Sequence, residues 1–394
     1  PSNKANCWKN HKPRNSAQIN YKMGTQVLGS ASTVFKYVYK VLGIVQFSYS
    51  KAPSTTKFSK MGARLWCVFS YGYFICICIF FHSARYDDKI MIYVHIVVFY
   101  GTIVVIVVSL IMFHRRSDKI KILLIRIDDL SHTPVKKSTT TILSRVLLIS
   151  CLIPVVVGYS LRGTTTYIIF TSCCTLITFD NFFLTDILDC LSEKFTAINE
   201  TFRNLTSNTQ SRRTNKVNLI IESVQNLSHT HYDLVILALQ TTKQFEVTIS
   251  LQIAYCFIAT VDAIYTLITM TASSESMMSV RFVANSGQAA FSVCWFYTLV
   301  AKFSETQDTA NAAALRLHEI WNKSVCRKAM GEKFRQLELV SIRMFNTQIR
   351  FNVCGFFNLD WKFCQLVIFC YLLKIIVKFV IFRWLLRLLH MQLY

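Results

Sequence analysis

Seven apolar stretches interrupt this 394-residue chain, and its lysines and arginines crowd into alternate connections between them. The stretches run roughly over 63–82, 91–113, 141–159, 165–188, 249–270, 281–303 and 361–383. Each approaches the ~20 residues that a helix needs to cross a hydrocarbon core of about 30 Å. Lipid offers no partner to an open backbone, so each is expected to be helical. The expected fold is therefore an all-α polytopic membrane protein with seven transmembrane helices. Hydrophobic residues make up 53% of the chain and aromatics 13%, which few soluble domains reach. The spans leave no room for a large soluble domain.

The distribution of basic residues sets an orientation. Residues 1–62 hold ten Lys/Arg, 114–140 hold seven, 189–248 hold six and 304–360 hold eight. The remaining connections and the tail hold Arg85, Lys89, Arg162 and Arg387. Charges beside span ends agree with the count: Lys57, Lys60, Arg64, Arg115, Arg116 and Lys302. By the positive-inside rule the N-terminus is cytosolic and the C-terminus extracellular, the reverse of a G-protein-coupled receptor. The net charge of +22 then suits basic loops lying against an anionic inner leaflet, so membrane lipids are an expected contact. No basic run carries the aromatic interleaving of a nucleic-acid module, and no nucleic-acid partner is expected. The sequons at Asn199, Asn204, Asn226 and Asn322 fall on the inner side and should stay unglycosylated. Residues 1–30 are polar and basic, so no signal peptide is expected before the first span.

This reading divides the chain into seven parts. Residues 1–62 form a cytosolic N-terminal segment and 63–188 carry transmembrane helices one to four. A cytosolic helical extension spans 189–248, helices five and six fill 249–303, and a second extension covers 304–360. The last span is 361–383, and 384–394 form an extracellular tail.

Val34, Phe35, Val38, Val41, Leu42 and Val45 recur at helical spacing. That segment either lies on the inner membrane face or packs beneath the bundle. Leu188, Leu191, Phe195, Ile198, Phe202 and Leu205 continue span four as one long helix, and polar residues 206–216 break it. A second pattern from Val217 through Ile221, Val224, Leu227, Leu234 and Leu237 leads to Phe245 and span five. Span six runs on through Ala314, Leu317, Ile320 and Trp321, and another helix is expected over about 332–352. Packed together, these extensions would make a helical stalk below the membrane. Pro154 should kink span three.

Motifs for chemistry are missing from the sequence. There is no GxG, GxSxG or HExxH, which argues against phosphate cradles, serine hydrolases and zinc proteases. Ten of the 14 cysteines lie in spans, and no CxxC pair exists. Cysteine in such places acts as a small apolar residue. His229 and His231 stand two residues apart on an expected helix, so their imidazoles diverge and a shared metal is not expected. The chain is read as a non-enzyme with no cofactor and no metal.

The block Phe351-Asn-Val-Cys-Gly-Phe-Phe-Asn-Leu-Asp360, after an amphipathic stretch and before the last span, resembles the C-terminal signature of insect gustatory receptors. Phe35-Lys-Tyr-Val-Tyr-Lys-Val-Leu-Gly-Ile-Val-Gln-Phe47 is similar to the family's start. The related insect olfactory receptors share the topology; the Cys-Gly-Phe-Phe block favours the gustatory branch. The last span departs from the family pattern of Thr-Tyr, five apolar residues and Gln-Phe. Here Cys370-Tyr371 precedes six residues that include Lys374, and Lys378-Phe379 stands in place of Gln-Phe. Gating and ion passage are the properties this departure touches. The resemblance implies a ligand-gated, non-selective cation channel of four subunits, homomeric or heteromeric, in the plasma membrane of a sensory neuron. The last helices would line the pore, a small tastant (sugar or bitter plant compound) would bind in the outer half of each bundle, and the extensions would join subunits.

Ionisable and polar side chains inside spans mark the candidate residues. Asp262, Tyr265, Asn285 and Gln288 lie in spans five and six; Tyr93 and His95 lie in span two and Tyr167 in span four. Aromatic walls with a few aimed polar groups suit a small organic ligand. Asp262 has a second reading as an interhelical hydrogen-bonding group, and the tyrosines a second reading as interface anchors. Asp180, Asp186 and Asp189 lie toward the inner end of span four and are read as structural. Tyr371, Lys374 and Lys378 share one stripe of the last span. Facing a pore, these lysines would repel cations; facing elsewhere, they would snorkel or pair with a carboxylate such as Asp262.

Overall fold

In a computed structural model of the chain, the described residues are Tyr39, 89–130, 139–160, 165–208, 214–272, 280–325 and 332–366. The expected first span, the amphipathic segment around Tyr39 and the last span beyond residue 366 lie outside them. Six helices follow one another: α1 (Lys89–Asp129), α2 (Thr139–Ser160), α3 (Thr165–Asn208), α4 (Thr214–Ala272), α5 (Val280–Val325) and α6 (Glu332–Asn346). A two-stranded hairpin, β1 (Asn352–Val353) and β2 (Phe357–Asn358), closes the series, and residues 361–366 begin another helix.

These helices are long because apolar span and amphipathic extension share one unbroken 3.6-residue period. α4 has 59 residues, so at ~1.5 Å per residue it measures about 90 Å, three times a hydrocarbon core. α3 runs through residues 188–205 as their spacing predicts and ends at Asn208, within the polar break. Two stretches, Tyr100–Ile127 and Ile221–Ile268, are long and apolar enough to cross a membrane, and Ile142–Val157 is a shorter apolar stretch. α1 continues to Asp129, well past the expected span end at 113, because Arg116 turns inward instead of ending the helix in water.

Cross-helix contacts give the direction of each element. Asn181–Thr298 and Ser192–Thr309 share a separation of 117 residues, so α3 and α5 run parallel. α4 opposes α3, since Phe195 meets His231, Phe183 meets Phe245 and Asp180 meets Gln252. α2 opposes α5, since Cys151 meets Cys294 while Pro154 and Val155 meet Gly287. α1 opposes α4, with Arg116 at Thr248 and Thr102 near Tyr255. Consecutive helices therefore alternate, as consecutive membrane crossings must.

α3 is the central helix. Its residues Phe182, Phe183, Leu184, Ile187, Leu188, Cys190 and Leu191 are all buried, and an element buried on every side belongs in the middle of a bundle. α2 instead leaves Leu143, Val146, Leu147, Ile149, Ile153 and Val157 exposed, an apolar face of the kind that meets lipid. Pro154 lies inside α2 without ending it. Below the bundle the extensions pack through Phe195, Phe202, Val224 and Leu234 against Ala310, Ala313, Ala314 and Leu317, where alanines permit close approach. Tyr39 packs into the bundle, with its ring on Phe183 and its hydroxyl donating to Asp186 at 2.9 Å.

The helix expected over 332–352 ends at Asn346. Its last six residues leave the helical path because Asn311 of α5 holds both backbone groups of Ile349, at 3.2 and 2.9 Å. The chain then pairs as a hairpin.

Candidate functional site: the bundle interior and the start of the last span

Four helices converge on one buried polar layer. Gln288 of α5 accepts from the Cys174 thiol of α3 at 3.4 Å and donates to Ser292 at 3.5 Å. Cys256 of α4 lies against Ser292. The Tyr255 hydroxyl is buried near Thr102, Cys173 and Cys174. Of this layer, only Gln288 was expected from the sequence. Tyr255 was missed, although a tyrosine beside cysteines in a span is a visible signal.

The Cys256–Ser292 contact sets the antiparallel register of α4 and α5. Continuing it puts Asp262 and Tyr265 at the depth of Asn285, within about 10 Å along the axis of the Gln288 layer. Asp262, Tyr265 and Asn285 are half-buried and Gln288 is buried. Tyr93 and His95 lie in α1 and Tyr167 in α3; their side chains are outside the described residues. Tyr371, Lys374 and Lys378 are outside them altogether.

Three carboxylates of α3 each take a cation from a different helix. Asp180 binds Arg116 of α1 at 2.5 Å and Gln252 of α4 at 2.9 Å. Asp186 binds Arg145 of α2, together with Tyr39. Asp189 binds Lys302 of α5 at 2.9 Å, and Lys302 also reaches Glu305 at 2.8 Å. At ~100° per residue Asp180 points about 120° or more away from Asp186 and Asp189, which are neighbours one turn apart on the helix. This agrees with their reading as structural groups.

The Phe351–Asp360 block folds as a hairpin with three loop residues, 354–356. Cys354 has φ 51° and Gly355 φ 74°, and Phe356 N–H donates to the Val353 carbonyl at 3.0 Å. Positive φ at two successive residues is a conformation that glycine adopts freely and other residues rarely. Asn352 pairs with Asn358 and Val353 with Phe357. The Asp360 carboxylate then accepts from Phe363 N–H at 2.9 Å, capping the next helix. Phe357 stacks on Phe363 at 4.1 Å, Phe363 meets Phe296, and Trp361 meets Tyr297 of α5. The Ser250 hydroxyl of α4 donates to the Cys354 sulfur at 3.2 Å. The motif thus seats the start of the last span on both α4 and α5. Beside it lies an apolar cavity of about 350 Å³ between α4, α5, Phe357 and Cys364.

His231 donates from Nε2 to the Ala310 carbonyl at 2.9 Å and rests edge-on against Phe195. Burial lowers its pKa below 6.5, opposed by the bond to Ala310. His229 is exposed on the same helix, so the two rings diverge as expected. Among the described residues no cluster of His, Cys, Asp or Glu could hold a metal.

The 7tm chemosensory receptor family model matches residues 35–377. No curated protein matches the sequence. The fold is similar to that of the insect olfactory receptor OR5 from Machilis hrabei, solved in complex with eugenol. The TM-score is 0.58 over 88% of this chain and 98% of that one, at 11% identity. The likeness at that identity is one of fold. The match over most of the chain and the alternating helices around a charged central helix lead to one conclusion: this protein belongs to the 7tm chemosensory receptor family, whose members are all-helical membrane receptors and not enzymes.

Proposed function

We propose that the chain is a gustatory receptor subunit: a ligand-gated, non-selective cation channel opened by a small tastant, a bitter plant compound or a sugar. Four subunits, alike or mixed, would sit in the plasma membrane of a sensory neuron, with the N-terminus cytosolic and the C-terminus extracellular. The observation that carries this reading is the hairpin at 351–360. It ties the first turn of the last span to α4 and α5, so a shift of those helices is transmitted to the last span. Asp262, Tyr265, Asn285 and Gln288, with Tyr93, His95 and Tyr167, form the ligand side. Tyr371, Lys374 and Lys378 form the pore side.

The experiment is patch-clamp recording from cells expressing the full chain, alone and with a co-receptor, under a tastant panel. Ligand-evoked current that survives in an excised patch supports the channel. A response in intact cells that vanishes on excision points to a receptor acting through a cytosolic partner. Steady uptake of the ligand without current points to a transporter. Tags at both ends, probed before and after permeabilisation, test the orientation separately.

A further inference from the structure

Cys151 of α2 and Cys294 of α5 face each other with their sulfurs 3.6 Å apart. Both are free and half-buried. Leu147, one turn along α2 from Cys151, and Tyr297, one turn along α5 from Cys294, are exposed, so the pair lies beside the lipid-facing surface of the bundle. The other close thiols differ: Cys173, Cys174 and Cys256 are fully buried.

A disulfide needs Cα atoms within about 7 Å and sulfurs at ~2.05 Å. The two helices pack tightly near this pair. A Cβ placed on Gly287 would lie 3.0 Å from the Cβ of Pro154, a tighter contact than most side chains make. Cys294 lies two turns along α5 from Gly287, on the same side, and Cys151 lies one turn along α2 from Pro154. With the sulfurs already 3.6 Å apart, a closing movement of about 1.5 Å makes the bond. Pro154 also deprives the Ser150 carbonyl of its helical donor, which leaves α2 locally adaptable beside Cys151.

We propose that Cys151 and Cys294 form a two-thiol reaction site for lipid-soluble two-electron oxidants, which close it into a disulfide joining α2 to α5. Two S–H bonds break and one S–S bond forms. The oxidant, of the quinone or azodicarboxamide class, takes up two protons and two electrons to leave a hydroquinone or a hydrazine. The bond restrains α2 against α5, the helix that leads through Asn311 to the hairpin before the last span. This chemistry holds whether or not the protein conducts ions.

The test uses the full chain in native-like membranes. The protein is treated with an azodicarboxamide, remaining thiols are blocked with a lipid-soluble maleimide, and a non-reducing digest is examined by mass spectrometry. The expected product is a linked pair of peptides containing Cys151 and Cys294, two hydrogens lighter than the separate peptides. Maleimide labelling falls at both positions, and dithiothreitol restores it. Cys151→Ser and Cys294→Ser, each expressed at the surface, abolish the linked pair. Recovery of both cysteines as maleimide adducts after oxidation overturns the proposal. So does linkage of either one to a different cysteine, or failure of both reagents to reach them.

Discussion

Arg116 of α1 meets Asp180 of α3 at 2.5 Å while its guanidinium lies between the rings of Phe113 and Phe245, 4.4 and 4.0 Å from their centroids. Two oppositely charged groups, one from each helix, are thus buried together with an aromatic shield. Thr248 takes a further guanidinium hydrogen at 3.1 Å.

Removing one member of that pair should be worse than removing both. Asp180→Ala leaves an uncompensated buried cation and should cost about 3–5 kcal/mol, seen as a sharp fall in surface expression and in the melting temperature of detergent-extracted protein. Arg116→Met combined with Asp180→Leu should recover a large part of the loss. Equal damage from single and double variants would contradict the pairing.

At the hairpin, Gly355→Ala should destabilise through the backbone alone. No atom lies within 4 Å of an added Cβ, but φ is +74°, where a side chain costs roughly 1–2 kcal/mol. Cys354→Asn should be neutral or stabilising, since asparagine tolerates the left-handed region. Melting temperatures of the two variants against the parent decide the matter.

His231 predicts a pH dependence of definite sign. Its pKa in the folded chain lies below the ordinary 6.5, so the unfolded chain takes up a proton first as the pH falls. Stability should then drop from about pH 6.5 toward the lowered folded value and be independent of this group above pH 7.5. The difference in melting profile between parent and His231→Gln, from pH 7.5 down to 5.5, isolates the contribution. A variant with an identical profile would remove His231 as the cause.

Ligand recognition should separate from stability within the bundle. Asn285→Ala and Tyr265→Phe should raise the half-maximal ligand concentration about ten-fold, the effect of losing ~1.4 kcal/mol of binding, with surface expression kept. Tyr255→Phe should lower ligand sensitivity with surface expression kept. Dose–response curves paired with surface labelling test all three.

The periodic residues from Leu188 to Leu205 and from Val217 to Phe245 made the long helices legible, because a 3.6-residue period survives the passage from span to extension. The three aspartates of α3 were legible as structural groups. Their partners were not, since Arg116 and Arg145 lie 64 and 41 residues away in sequence and pairing over such distances leaves no local pattern. Arg116 was read as a span end because two adjacent arginines resemble one; burial against Asp180 lets the helix continue. The hairpin leaves little trace in the sequence beyond its Cys-Gly turn signal and the alternation of Phe351 and Val353, and the helix expected to 352 overlaps only its first strand residue. The tyrosine at 255 was passed over since its significance depends on three other helices reaching the same depth.

The length of α4 has a mechanical side. A straight rod of 59 residues that pivots by only ~5° about its middle swings each end by roughly 4 Å, given ~1.5 Å of rise per residue. Such a displacement exceeds half a helical turn of side-chain packing. A small event beside Asp262 can thereby change how His231, far along the same lever, meets Phe195 and Ala310, without any bond in between being broken.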